Sequence, residues 1–132
     1  MSQENVEIVR RAIEAFIGRD LDAVVAASDP EVVVDWSRSL GVDAGIYRGH
    51  EATRAFWGTF LDMFDRMLFL PDEFIDCGDQ VVVPHRTRLW GRDGVEVEAR
   101  AVYVVSLRDR HIIKFCLYRE RAEALKAVGL EE

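Results

Sequence analysis

The sequence predicts an α+β fold: a cone-like, curved antiparallel sheet packed against three helices and enclosing a pocket. Three observations lead there. Apolar residues recur at helical spacing in the first half of the chain and again at its end. Most of the second half consists of strand-like runs rich in Val, Ile, Tyr and Phe. The polar turns "GRDG" and "RDRH" separate the last of these runs, short enough for antiparallel neighbours. Helices first and strands later is the α+β order, and a twisted sheet wrapped on helices leaves space between the layers.

Each element has its own reason. Residues 4–18 read as a helix, because Val6, Val9, Ile13, Phe16 and Ile17 fall on one face with charges between them. Gly18 ends it. Asp20 can cap a second short helix carrying Leu21, Val24 and Val25 inward, and Asp29-Pro30 breaks that helix. The β-branched run "VVVDW" then reads as a strand over residues 32–36. Residues 37–49 are a loop with three glycines. A third helix over residues 50–64 carries the stripe Ala52, Phe56, Phe60 and Phe64, with Trp57 and Leu61 alongside. Four strand runs follow: residues 66–76, then "QVVVPHRTRLW", "VEVEARAVYVVSL" and "IIKFCLY". A short helix, "EALKAV", closes the chain, with Gly129 suited to its C-cap. Repeats, linkers and low-complexity segments are absent, so one domain over residues 1–132 is expected.

Composition narrows the function classes. With 49% hydrophobic and 31% charged residues, an ordered core is expected. The net charge of −7 repels phosphates, so neither nucleic acid nor an anionic membrane surface is an expected partner. Cys77 and Cys116 form no C-x-x-C pair and read as reduced thiols. The start "MSQENVEIVRR" has no apolar signal core, and no apolar run approaches the ~20 residues that span a bilayer. A soluble cytoplasmic protein is the expectation. His50, His85 and His111 show no metal-ligand spacing, no glycine-rich phosphate loop occurs, and Ser28, Ser37 and Ser39 sit in no nucleophile elbow. No metal and no cofactor are expected.

Four pieces, "IVRRAIEAFIGRDLDAVVA", "VVVDW", "YRGHEATRAFW" and "LRDRHIIKFCLYRERAEALKAVGL", cover nearly the whole chain with the spacing between them. In these the chain resembles the nuclear transport factor 2-like superfamily, in its SnoaL-like and ketosteroid-isomerase-like branch. The fold hosts isomerases, cyclases, hydrolases, dehydratases and non-enzymatic modules, so the resemblance implies architecture more than activity. Ketosteroid isomerase uses an Asp base with a Tyr and a protonated Asp as oxyanion donors. The resemblance puts the base at Asp35, ahead of Gly49. It puts the Tyr at Ala12, where it is missing, and the protonated Asp at Tyr103, where a phenol can still donate.

The candidate site follows from these positions and from strand alternation. Asp35 is either a carboxylate aimed into an apolar pocket beside Trp36 or Trp57, with a raised pKa, or a solvated strand end. Alternation groups His85 with Val81, Val83, Thr87 and Leu89 on the interior face of its strand. His85 is there either a proton-transfer group or a hydrogen-bonded core histidine. Tyr103 shares a face with Val95, Val97, Ala99, Ala101 and Val105, and the alanines leave room for a ligand. The expected catalytic set is Asp35, His85 and Tyr103. The expected ligand contacts are Trp36, Tyr47 as a lid over the mouth, Trp57, Phe60, Thr87 and Phe115. Arg100 and Arg119 bind an anion if they turn inward, and are solvated or interfacial otherwise.

Three functions compete at this stage. One is cofactor-free acid/base chemistry on a small apolar carbonyl or polyketide-like molecule, with Asp35 or His85 as base and Tyr103 facing the oxyanion. Another is a binding module using the same pocket without turnover. The third is an interaction protein. A homodimer is expected through the outer sheet face, where Val102 and Val104 continue the row of Glu96, Glu98 and Arg100.

Overall fold

A computed structural model describes residues 2–91 and 93–130. The helix α1 (Ser2–Ile17) is followed by α2 (Leu21–Ala26), whose N-cap Asp20 accepts from the Ala23 amide. Strand β1 (Ser28–Asp35) begins two residues later. Pro30 does not end α2. It lies within β1, where the ladder to β7 shifts between Ser28 and Val33, so its missing N–H breaks no regular pair.

A three-residue strand, β2 (Ile46–Arg48), emerges from the expected loop and leads into α3 (Gly49–Asp62). Gly49 has φ of +85°, a left-handed conformation that suits glycine at the strand-to-helix turn. The expected run over residues 66–76 is two strands, β3 (Phe64–Pro71) and β4 (Ile75–Asp76). Then come β5 (Gln80–Gly91), β6 (Glu96–Arg108), β7 (His111–Tyr118) and the helix α4 (Arg121–Ala127).

The seven strands form one curved, unclosed sheet in the order β2-β1-β7-β6-β5-β3, with β4 also on β5. It is mixed, not wholly antiparallel. β1 runs parallel to β7, and the other pairs are antiparallel. The parallel pair is reached from opposite ends of the chain, so no hairpin signal announces it.

Three helices cover one face. Val6, Val9 and Ile13 of α1 pack on Val81, Val83, Val105 and Leu107, a dry cluster at one end of the sheet. Phe56 and Trp57 of α3 pack on Val34, Trp36 and Leu117. The opposite face is covered in part by α4, whose Ala124 and Leu125 bury Val82, Val102, Val104 and Cys116. Val102 and Val104, expected at a dimer interface, are therefore covered by the chain's own last helix and are 4% exposed. Cys77 and Cys116 are both free thiols.

Candidate functional site

Between the three helices and the sheet lies a cavity of about 400 Å³. Its floor is built by alternation. In β5, residues 83, 85, 87 and 89 point one way, and in β6 residues 99, 101, 103 and 105 do the same, so His85, Thr87, Ala99, Ala101 and Tyr103 share one surface. Phe115 and Leu117 extend this surface from β7, and Trp36 from the end of β1. The roof carries Phe16 of α1 with Trp57 and Phe60 of α3. Phe69 closes the side at β3. The rings interlock edge to face: Trp36 and Trp57 lie 5.5 Å apart at 85°, and Trp57 meets Phe115 at the same distance and angle.

On the floor, beside Thr87, two ionisable rings interrupt the apolar lining. His85 is 3% exposed, and its ring lies 4.0 Å from that of Tyr103 and 4.8 Å from that of Phe69. Its Nδ1 sits 3.0 Å from the Val83 carbonyl. A carbonyl only accepts, so Nδ1 carries the proton and Nε2 keeps its lone pair. Burial pushes the His85 pKa down. The bond to Val83 and the charge of Asp72 oppose that shift without reversing it. His85 is thus a neutral base at pH 7.

No protein group among the described residues hydrogen-bonds the Tyr103 hydroxyl or His85 Nε2. No buried side-chain nitrogen or oxygen there lacks a partner either. Both atoms must therefore open onto the cavity. Burial raises the Tyr103 phenol far above its usual range, so it is a fixed donor. By contrast, Thr53, also on the cavity wall, uses its hydroxyl on the Gly49 carbonyl at 2.8 Å.

Asp35 is not part of this surface. Trp36, Val34 and Val32 point inward, and period two turns Asp35 to the opposite face. There its Oδ1 accepts from the Ser37 amide at 3.1 Å and from the Ser37 hydroxyl, while Arg38 stands 3.6 Å from Oδ2. Burial by itself would raise its pKa. The Ser37 hydrogen bonds, with Arg38 and Lys114, outweigh that and hold the carboxyl below its usual value. The expected raised-pKa base inside the pocket is corrected accordingly.

Tyr47 is also displaced from its expected role. Its ring stacks on Phe56 at 4.4 Å and its hydroxyl donates to the Asp43 carbonyl at 2.6 Å, so it braces the loop instead of lining the cavity. Trp36, Trp57, Phe60, Thr87 and Phe115 all line it. Phe69, Met67 and Phe16 line it too, beyond the contacts expected from the sequence. The alternation of β3 was the available signal for the first two, and the stripe of α1 for the third. Ser39, Leu40 and Asp43 of the loop also border the cavity, as do the exposed Arg100 and Arg119. Among the described residues, no group of three or more His, Cys, Asp or Glu side chains could hold a metal ion, and no helix is long and apolar enough to cross a membrane.

Comparison with known proteins places this geometry. Residues 9–115 match the model of the SnoaL-like domain. A search of curated proteins finds no match. Among solved structures, an NTF2-like protein of unknown function from Burkholderia pseudomallei K96243 is 28% identical. The alignment covers 95% of this chain and 97% of that one, with a TM-score of 0.79. A protein described as a SnoaL-like polyketide cyclase, from Jannaschia sp. CCS1, is 19% identical over 99% and 95% of the two chains, with a TM-score of 0.78. Rv0760c from Mycobacterium tuberculosis, solved with estradiol-17β-hemisuccinate, is 17% identical over 89% and 95%, with a TM-score of 0.77. The match over most of the chain, with the helix-covered curved sheet and its cavity, shows that this chain belongs to the SnoaL-like family of the NTF2-like superfamily.

Proposed function

We propose that this protein binds a small, mainly apolar carbonyl compound in the cavity and moves a proton on it without a cofactor. One observation supports the reading: a neutral imidazole Nε2 and a phenol with no protein partner among the described residues share a largely aromatic and aliphatic enclosure. A ligand carbonyl oxygen would accept from Tyr103. His85 Nε2 would take a proton from the carbon next to that carbonyl, and the electron pair would move to the oxygen, where the phenol stabilises it. Where the enolate is conjugated with a carbon–carbon double bond, return of the proton from His85 to the far carbon of the dienolate completes an isomerisation; alternatively the enolate carbon attacks a second carbonyl of the same ligand, forming the ring bond while that carbonyl's oxygen takes the proton from His85. The dry aromatic walls strengthen the phenol's hydrogen bond to the developing charge. A mycobacterial protein of the same fold holds a steroid conjugate, which supports a flat apolar ligand of this class.

The experiment is proton exchange. The protein is incubated with small cyclic enones in deuterated water, and label incorporation is followed by mass spectrometry. Exchange that falls at least 100-fold in His85→Gln and in Tyr103→Phe supports the reading, a loss typical of positioned acid/base groups. Binding of those enones with no exchange in any variant would leave a binding module without turnover. That second reading has its own support. Asp35 lies outside the cavity, and Ala12 stands where the resemblance expects a donor.

The expected homodimer also stays a proposal, on a corrected surface. The part of the outer face left open by α4 carries Arg86, Arg88, Glu96, Glu98 and Arg100, opposite charges that can pair across a two-fold axis. Sedimentation at micromolar concentration decides it, and a monomer there removes the dimer from the proposal.

A further inference from the structure

We propose that Arg119 makes the mouth of the cavity an anion-accepting rim, so that the ligand is an amphipathic acid. Its apolar body would lie inside, and one carboxylate or comparable oxyanion would sit at the opening. The proposal rests on the reading of the cavity as a small-molecule site and specifies the class of molecule.

Register and alternation set the geometry. In β7, Phe115 and Leu117 face the cavity, and Arg119, two residues further on, continues that row and borders the cavity. Cys116 and Tyr118 face the other way, towards Arg38. The antiparallel pairing of Val102 with Tyr118, extended by one residue, sets Arg119 beside Ala101. The other neighbour of Ala101 is His85. His85, Ala101 and Arg119 therefore stand in one row across three strands, and two strand spacings separate the outer pair by about 10 Å. The methyl group of Ala101 between them leaves a shelf. A ligand whose anion meets Arg119 lays its body over that shelf and reaches His85 and Tyr103.

Charge accounting favours the same assignment. The chain has 24 acidic and 17 basic residues, so acidic partners are in excess. Arg38, Arg54, Arg88 and Arg110 are each ion-paired. Arg119 has no ion-pair or hydrogen-bond partner among the described residues, although it borders an apolar opening. Arg100 also borders the cavity, but alternation turns its side chain to the outer face, opposite Arg86, so it adds positive potential and not a direct contact. Asp43 is an acidic residue that also borders the cavity. Its Oδ1 accepts from the Ser39 hydroxyl at 3.2 Å, and its carboxylate disfavours an anion there.

The test uses two probes that differ in one charge, 1-anilinonaphthalene-8-sulfonate and uncharged 1-anilinonaphthalene, each titrated by its own fluorescence. The sulfonate is expected to bind the native protein more tightly than its parent and to weaken with added salt. Arg119→Gln should cost the sulfonate about five-fold in affinity, the scale of one solvent-accessible ion pair, and leave the parent unchanged. Arg119→Lys should retain most of the difference, and Asp43→Asn should widen it. Ala101→Trp, which fills the shelf, should abolish both. If Arg119→Gln lowers both probes equally or neither, while Ala101→Trp still blocks them, the rim is refuted and the cavity reading stands. If neither probe binds, or both survive Ala101→Trp, the cavity reading itself fails and the rim falls with it.

Discussion

Replacing Ala101 with leucine distinguishes an open cavity from a filled core by the sign of its effect on stability. Ala101 stands on the cavity floor between His85 and the row leading to Arg119. Leucine adds three carbons. At ~0.8 kcal/mol per buried methylene, the gain is about 2.4 kcal/mol. Fixing the leucine rotamer costs roughly 0.5–1 kcal/mol, which leaves about 1.5 kcal/mol of net stabilisation. The added carbons occupy at most about three water volumes, or ~90 Å³, and the cavity measures about 400 Å³, so no neighbour must move. Val83 and Val105 are 0% exposed in the packed cluster under α1 and serve as controls. There, Val83→Leu and Val105→Phe should cost about 1–3 kcal/mol through overpacking. Urea unfolding followed by tryptophan fluorescence reads both. With a slope of ~1.5 kcal/mol/M, Ala101→Leu should raise the midpoint by about 1 M. A midpoint lowered as far as in the Val105→Phe control would mean that the space is already filled, and the site reading would be lost.

The other expectations concern single groups. His85 has a depressed pKa, so the unfolded chain takes up its proton first as pH falls. The stability that His85 contributes is complete above ~6.5 and is lost as pH drops from there through the folded value. Unfolding free energies at pH 7.5 and 5.5 should therefore differ less in His85→Leu than in the native protein; an equal difference in the two would contradict a buried neutral imidazole. Asp35→Asn should cost about 1–2 kcal/mol, because the Ser37 bonds and Arg38 favour a charged carboxylate, yet leave ligand affinity unchanged; a matching loss of affinity by titration would restore Asp35 to the site. Leu125→Ala should cost about 2–3 kcal/mol by uncovering Val102 and Val104, as read by thermal melting, and a cost near zero would mean that α4 does not dock there. Tyr103→Phe should leave stability unchanged or higher by about 1 kcal/mol, since the hydroxyl has no protein partner; a loss of that size would show that the hydroxyl is structural.

Legibility in the sequence followed the range of the interaction. Alternation is a property of a single strand, so the inward rows of β5 and β6 could be read without knowing their partners. His85, Thr87, Ala101 and Tyr103 were legible for that reason. The same rule was available for "VVVDW". Val32, Val34 and Trp36 lie two residues apart and Trp36 is the bulkiest of them, so Asp35 belongs to the other face. The resemblance to an isomerase position pointed the opposite way, and the local rule prevailed. What stayed hidden is long-range. Nothing in β1 announces a parallel partner at the far end of the chain, and nothing in "EALKAV" says that it folds back over Val102 and Val104. The strand β2 is only three residues long and sits after a glycine-rich loop, which concealed the bracing role of Tyr47.

The placement of polar groups separates the structural from the functional better than any single position does. Near the start of α3, His50 donates through Nε2 to the Ser28 carbonyl and Thr53 donates to Gly49, so their polarity is satisfied within the fold and anchors a helix. Asp35 is engaged on Ser37 and Arg38 in the same way. His85 is half engaged: Nδ1 is fixed by Val83, and that bond leaves Nε2 as an acceptor facing the cavity. Tyr103 is not engaged at all. An apolar enclosure exerts a penalty on such atoms, about 1–3 kcal/mol for each group left without a partner, against a total stability of roughly 5–15 kcal/mol for a domain of this kind. Phenylalanine and leucine would fill the same floor without that penalty. A molecule that displaces solvent from the cavity must offer the phenol an acceptor and the imidazole a donor to match what water gives there. On the proposed reading a ketone supplies the acceptor and its acidic neighbouring carbon the proton to be transferred, and a hydrocarbon supplies neither.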